Sequence, residues 1–233
     1  MASSSALVLL LLLLFSAACC LDAAEAEPKV GGAAGNNKEE DDVVARTCAK
    51  ATSNFCHIHL KNKYCVSTLR SDTRSARAQE PHDLAVVAID LARRGAAAAD
   101  AKAAALLERE TTPEAAARVL RYCRSDYAAV ARLGAMCRGM VEAYSMLGED
   151  AKRDPKRMDF YYSEECSTKL MAAAKNCAHV ALFAFEQVLD EALQREFIDV
   201  ARRAALAKAM VEVVIGVTDP FHEFGDEFDF VDE

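Results

Sequence analysis

The residues best equipped for chemistry in this chain are nine cysteines and five histidines. Cys56-His57-Ile58-His59 is the cluster with a metal-like composition. Protein metal sites need several ligands that converge on one point. Two histidines separated by one residue do not share a helical face, and no acid or further histidine follows at ligand spacing. A surface or packing role fits that cluster better, and no metal is expected. His82, His179 and His222 stand singly, and the chain carries no nucleophile elbow, phosphate loop or dinucleotide fingerprint. Glu164-Glu165 and Asp190-Glu191 are sequence neighbours, so on helices they point about 100° apart and read as solvated faces. No catalytic residue, no cofactor and no enzyme activity are expected.

The cysteines fit cross-linking better, and their spacing requires particular elements. From Glu114 onward, Ala116, Leu120, Cys123, Tyr127, Val130, Gly134, Cys137, Val141 and Tyr144 recur at steps of four and three. That is one apolar seam on a long helix, ending near Gly148. A second seam runs Cys166, Leu170, Ala173, Cys177, Val180, Ala184 and Val188, after a polar connection at Glu149–Arg157. In an antiparallel hairpin, facing positions have a nearly constant index sum. Cys123 with Cys177 sums to 300 and Cys137 with Cys166 to 303, so both centre on the polar connection. The mismatch of three residues is about 4.5 Å of helical rise, tolerable if a turn is irregular. Two rungs are therefore predicted, Cys123–Cys177 and Cys137–Cys166. The alternative is that one pair packs as buried free thiols; no histidine or acid on these seams makes a metal site of them.

Further helices open at Leu84, Val87, Ala88 and Leu91, and at Phe197, Val200, Ala204, Ala207, Val211 and Val214. Pro81, Pro113, Pro155 and Pro220 fall between the helical segments. Thr111-Thr112-Pro113-Glu114 reads as a helix start, with a threonine cap, proline in the first helical position and an early acid. Four long helices with short connections imply an all-α, up-and-down bundle over 81–216. Residues 46–80 read as a short helical hairpin before it, and no β alternation is evident. Alanine-rich composition with nine glycines and five prolines agrees.

The formal charge of −8 belongs to the ends. Residues 21–45 carry seven acids against two lysines and read as a disordered lead, which includes Glu39-Glu40-Asp41-Asp42. Residues 217–233 carry seven acids and no Lys or Arg, interleaved with Phe221, Phe224, Phe228 and Phe230, and read as a disordered tail or a partner-docking peptide. The body between them is mildly basic, at 26 Lys and Arg against 22 acids, and its arginines read as ordinary exposed faces. Nucleic-acid binding is not expected. Ala6 to Phe15 is an unbroken apolar run followed by Ser16, Ala17 and Ala18, which predicts a signal peptide over 1–20 cut between Ala18 and Ala26. Secretion would permit disulfides, and no membrane anchor is expected. Of Cys48, Cys56 and Cys65, one bridge can form, Cys48–Cys65 or Cys56–Cys65.

Thr47-Cys48-Ala49-Lys50-Ala51-Thr52, then Tyr64-Cys65-Val66-Ser67-Thr68-Leu69-Arg70-Ser71-Asp72, resembles the opening of the plant invertase and pectin methylesterase inhibitor family. Leu120, Cys123 and Tyr127 resemble its Leu-x-x-Cys-x-x-x-Tyr signature, and Cys177 fits the spacing to the chain's end. The resemblance covers about 45–216. It implies a four-helix bundle behind a small helical hairpin, with disulfides Cys48–Cys65 and Cys123–Cys177. It also implies a secreted inhibitor that docks one-to-one on a plant cell-wall enzyme and obstructs its substrate cleft. A monomer or weak dimer is expected.

Cys56, Cys137 and Cys166 depart from the family pattern, and an extended helical hairpin with its own rung would account for the latter two. Invertase-directed members carry Pro-Lys-Phe at the hairpin tip. Asp154-Pro155-Lys156-Arg157 resembles that motif, with Arg157 where the phenylalanine would stand. Lys156 could meet catalytic carboxylates through a charge-assisted contact; equally, the motif reads as a solvated turn with a proline helix starter. Pectin methylesterase is the favoured target and invertase the alternative. A non-inhibitory extracellular helical carrier or interaction protein is the second alternative.

Overall fold

The computed structural model describes residues 42–53, 60–184 and 189–217. The expected signal peptide, most of the acidic lead, the Cys56–His59 cluster and the tail beyond Val217 lie outside the described residues. All regular structure among the described residues is helical. Two short helices come first, α1 (Val43–Ser53) and α2 (Asn62–Arg70), joined through Cys48–Cys65 with a Cα separation of 5.8 Å. A tight turn over Thr73–Arg77 leads into α3 (Pro81–Leu107). Then come α4 (Glu114–Tyr144), α5 (Lys169–His179) and α6 (Glu191–Ile215). Each bundle helix packs on its sequence neighbours and α6 closes the ring on α3, which gives the up-and-down order. The α1–α2 hairpin lies against α6 and α3, and the Tyr64 hydroxyl donates to Asp199 Oδ1 at 3.2 Å.

The starts of these helices differ in detail from the sequence expectation. Asp42 belongs to the first helix: its Oδ1 accepts from Val44 N at 2.9 Å, and its carboxylate pairs with Arg70. Ahead of α4, Pro113 is itself the cap residue, with extended backbone, rather than the first helical residue. Thr112 does not cap α4, because its hydroxyl donates to Leu106 O at 2.5 Å and closes the end of α3. Asp190 is exposed, as expected, and in addition caps α6 by accepting from Leu193 N at 2.8 Å. α4 ends at Tyr144, and the polar connection contains two one-turn helices, Glu149–Lys152 and Pro155–Met158.

α5 continues at both ends in a wider winding, Asp159–Thr168 before it and Val180–Ala184 after it, with i→i+5 hydrogen bonding. The pattern of buried residues accounts for the first stretch. Met158, Tyr162, Cys166 and Leu170 are all buried and stand at strict intervals of four. On an α-helix each such step drifts about 40°, so three steps would carry the last side chain off the shared face. A wider turn holds all four against the core.

Both rungs between α4 and the α5 segment form. Cys123–Cys177 has a Cα separation of 4.7 Å and Cys137–Cys166 of 5.1 Å. The Tyr127 hydroxyl, one turn after Cys123, sits 3.1 Å from Cys177 Sγ and can only donate to it, since that sulfur is oxidised. Phe197 of α6 meets the Tyr127 ring edge-on at 5.7 Å between centroids. Both rings are fully buried and hold the middle of the core.

Candidate functional site

The end of the bundle that carries the α4–α5 connection holds the features a partner could read. Its position is fixed from below by burial and by the Cys137–Cys166 rung. Met158 and Tyr162 are buried, and Tyr162 meets Tyr144 edge-on at 5.5 Å between centroids. Burial raises the pKa of both phenols, so they stay neutral hydrogen-bonding groups across the ordinary pH range. Lys152 Nζ stands 5.4 Å from the Tyr144 ring centroid and 3.6 Å from Glu149 Oε1, which ties the first one-turn helix down.

Asp154 is the cap of the second one-turn helix: its Oδ1 accepts from Arg157 N at 3.1 Å. Pro155 fills the first position of that helix, where no backbone donor is missed. Lys156 and Arg157 follow on the exposed side, and Arg153 precedes them. Among the described residues these three cations join no ion pair. One turn beyond Lys156, Phe160 and Tyr161 are about half exposed and stack edge-on at 5.0 Å between centroids. Met146, just after α4, is 86% exposed. The sequence names Asp154, Pro155 and Lys156 as candidates, and the structure adds the exposed Phe160, Tyr161 and Met146 to that end of the bundle. The interval of four from Lys156 to Phe160 was the available signal.

A second polar cluster was also missed. The arginines of the body are not all surface ornament, because Asp90 of α3 is buried and three of them converge on it. Arg74 Nη1 donates to Asp90 Oδ2 at 2.7 Å, Arg138 Nη1 donates to the same oxygen at 2.6 Å, and Arg93 reaches Oδ1 at 3.5 Å. Arg74 also holds Asp72 through Nε and Nη2, at 3.0 and 2.9 Å. One network thus fastens the turn after the hairpin to α3 and α4. His82, at the start of α3, adds a bond from Nε2 to Val141 O at 2.8 Å.

The carboxyls of the body fall into two opposed groups. Hydrogen bonds from Arg74 hold Asp72 well below the usual carboxylate range. Burial pushes Asp90 upward, but Arg74 and Arg138 outweigh it and its pKa is lowered. Burial alone pushes Asp126 up to about 6, with no partner for its buried Oδ2 among the described residues. Burial likewise raises Glu212, despite Lys208 Nζ at 2.7 Å and the Ser163 hydroxyl at 2.9 Å. The signs follow from proton linkage. The lowered pair contributes stability above its ordinary pKa that is lost as pH falls below about 4. Asp126 costs stability as pH climbs from about 4 to about 6, and Glu212 acts in the same direction. Thermal stability should therefore peak on the acidic side, between these limits. Thermal melts of Asp126→Asn against the wild type check this: the gain of the variant should grow between pH 4 and about 6 and stay level above.

Among the described residues, no group of three or more His, Cys, Asp or Glu could hold a metal, and no helix is long and apolar enough to cross a membrane. The arrangement suits a rigid protein-docking body. Compared with known families, residues 42–179 match the family described as plant invertase/pectin methylesterase inhibitor. No curated protein and no solved structure matches the chain.

Proposed function

Given that the chain belongs to the plant invertase/pectin methylesterase inhibitor family, whose members are proteinaceous inhibitors and not enzymes, we propose that it is a secreted inhibitor of pectin methylesterase. It docks one-to-one on the enzyme in the cell wall and covers the substrate cleft. The observation that carries this reading is a family-type bundle whose α4–α5 tip presents Arg157 where an invertase-directed tip would present phenylalanine. Three disulfides and an apolar leader support secretion into an oxidising compartment.

Invertase is the second reading, and one observation favours it. Phe160 is exposed one turn beyond Lys156, so a cation and an aromatic ring stand on the same side of the tip despite Arg157. Lys156→Ala separates the two. If invertase is the target, the variant should lose roughly tenfold in inhibition of invertase, the scale of one charge-assisted contact. If pectin methylesterase is the target through polar helix faces, its inhibition should stay within about twofold of wild type. Size-exclusion chromatography of equimolar mixtures gives the stoichiometry. A peak holding one copy of each protein supports docking, and separate elution from both enzymes removes it.

A further inference from the structure

An endoprotease with an acidic specificity pocket reads Lys or Arg, and the chain places two such residues side by side four times: Arg93-Arg94, Lys152-Arg153, Lys156-Arg157 and Arg202-Arg203. The fold separates these pairs. Arg93-Arg94 lies inside α3 and Arg202-Arg203 inside α6, helices of 27 and 25 residues. A protease takes its substrate extended, so those bonds open only when a long helix unwinds. Lys152-Arg153 and Lys156-Arg157 lie instead in the α4–α5 connection, on two one-turn helices. Proteolysis concentrates at exposed connections of this kind. The α3–α4 connection offers the single cation Arg109, flanked by Glu108 and Glu110, which an acidic pocket repels.

Four bonds of the α4–α5 connection follow a basic residue, and three of them are restrained. Lys152 is held by the Tyr144 ring and by Glu149. A cut after Arg153 would draw the capping carboxylate of Asp154 into the protease beside the scissile bond. A cut after Arg157 would pull Met158, 2% exposed, out of the core. The bond after Lys156 escapes all three. Residues 153–157 are exposed, and Asp154 already has an extended backbone, at φ −88° and ψ 93°. The Arg157 amide on the far side of the bond is held by the Asp154 side chain, at 3.1 Å.

Both inter-helix disulfides cross this bond, since Cys123 and Cys137 precede it and Cys166 and Cys177 follow it. We propose that the Lys156–Arg157 bond is a processing site for an endoprotease that reads a basic side chain, and that the cut protein is two chains joined by both rungs. Water adds across the peptide bond, whose C–N bond breaks. The Lys156 carbonyl carbon takes the oxygen and ends as a carboxylate, while the Arg157 nitrogen leaves as an amine and takes up a proton. The cut opens the Asp154-Pro155-Lys156 turn and leaves the helices in register. Partner contacts that need the unbroken turn end with it, and contacts through helix faces persist. This assignment is independent of which enzyme the protein inhibits.

Brief digestion of the oxidised protein with trypsin tests it, read by peptide mapping and by electrophoresis with and without reductant. Within 81–216 the first cut should fall after Lys156. The two halves should separate only on reduction, and the helical circular dichroism of the cut protein should match that of the uncut one. Lys156→Gln should slow cutting in the connection at least about tenfold, although Arg157 remains. Cutting follows the population of the open turn, so Asp154→Ala should be cut about fivefold faster than Asp154→Asn, which keeps a capping oxygen. A first cut at any other bond within 81–216, or undiminished cutting of the Lys156→Gln variant, overturns the proposal. So does loss of the helical signal before reduction, which would mean that the rungs do not hold the halves together.

Discussion

Replacing Cys123 and Cys177 together by alanine should lower the unfolding free energy by about 3.5 kcal/mol. The two rungs are nested, with sequence separations of 54 and 29. With the inner rung intact, the outer one restrains only the difference, 25 residues of chain. The inner pair, Cys137 with Cys166, should cost about 3 kcal/mol when removed alone, because the outer loop still limits the unfolded chain. Removing both should cost about 7 kcal/mol, a large share of the stability of an ordinary domain. Alanine is the right probe, since serine at position 177 would offer the Tyr127 hydroxyl a new hydrogen-bond partner and mask part of the loss. Denaturant titration of the three variants checks these values. The slope should rise in the double-rung variant, because its unfolded state exposes more surface. Near-neutral loss of the inner pair would mean that Cys137 and Cys166 do not brace the tip.

Phe197→Ala should cost about 4 kcal/mol, the largest effect expected of any single substitution in the bundle. The ring is fully buried and lies edge-on to Tyr127, which itself stands against the Cys123–Cys177 bridge. Alanine leaves a cavity between four helices that the cross-linked α4–α5 pair cannot close by moving inward. The midpoint of thermal unfolding should fall by roughly 10 °C. Tyr127→Phe offers the contrast. It keeps the ring and forfeits one hydroxyl contact to sulfur, so its cost should be about 1 kcal/mol. Similar losses from the two would place the hydroxyl, not the ring pair, at the centre of the core.

The bundle was readable in the sequence because its helices are amphipathic and its cysteines are fixed points. Ala116 to Val141 alternate at three and four, and every residue of that run is buried. The rungs followed from index sums because disulfides impose short Cα separations on facing helices. The wide winding ahead of α5 is not legible in the sequence because Met158, Tyr162, Cys166 and Leu170 at intervals of four read as an ordinary α-helical face. Asp90 was missed for a different reason. Its partners come from the turn before α3, from α3 itself and from α4, and convergence of three elements on one carboxylate has no local signature. The capping roles of Asp42 and Asp190 are not legible in the sequence, because capping depends on where a helix starts and boundaries are weakly encoded. At the tip, Lys156 is a candidate through the resemblance alone, whereas the exposed stacking of Phe160 on Tyr161 is visible only in the structure.

The central claim is that this rigid, cross-linked bundle inhibits pectin methylesterase by occupying its substrate cleft. Titration of a fixed amount of pectin methylesterase, with invertase in parallel, at acidic pH tests it most directly. Pectin methylesterase activity should fall linearly and reach its floor at one inhibitor per enzyme, with invertase unaffected. Both enzymes remaining fully active at a slight molar excess of the protein would contradict the account.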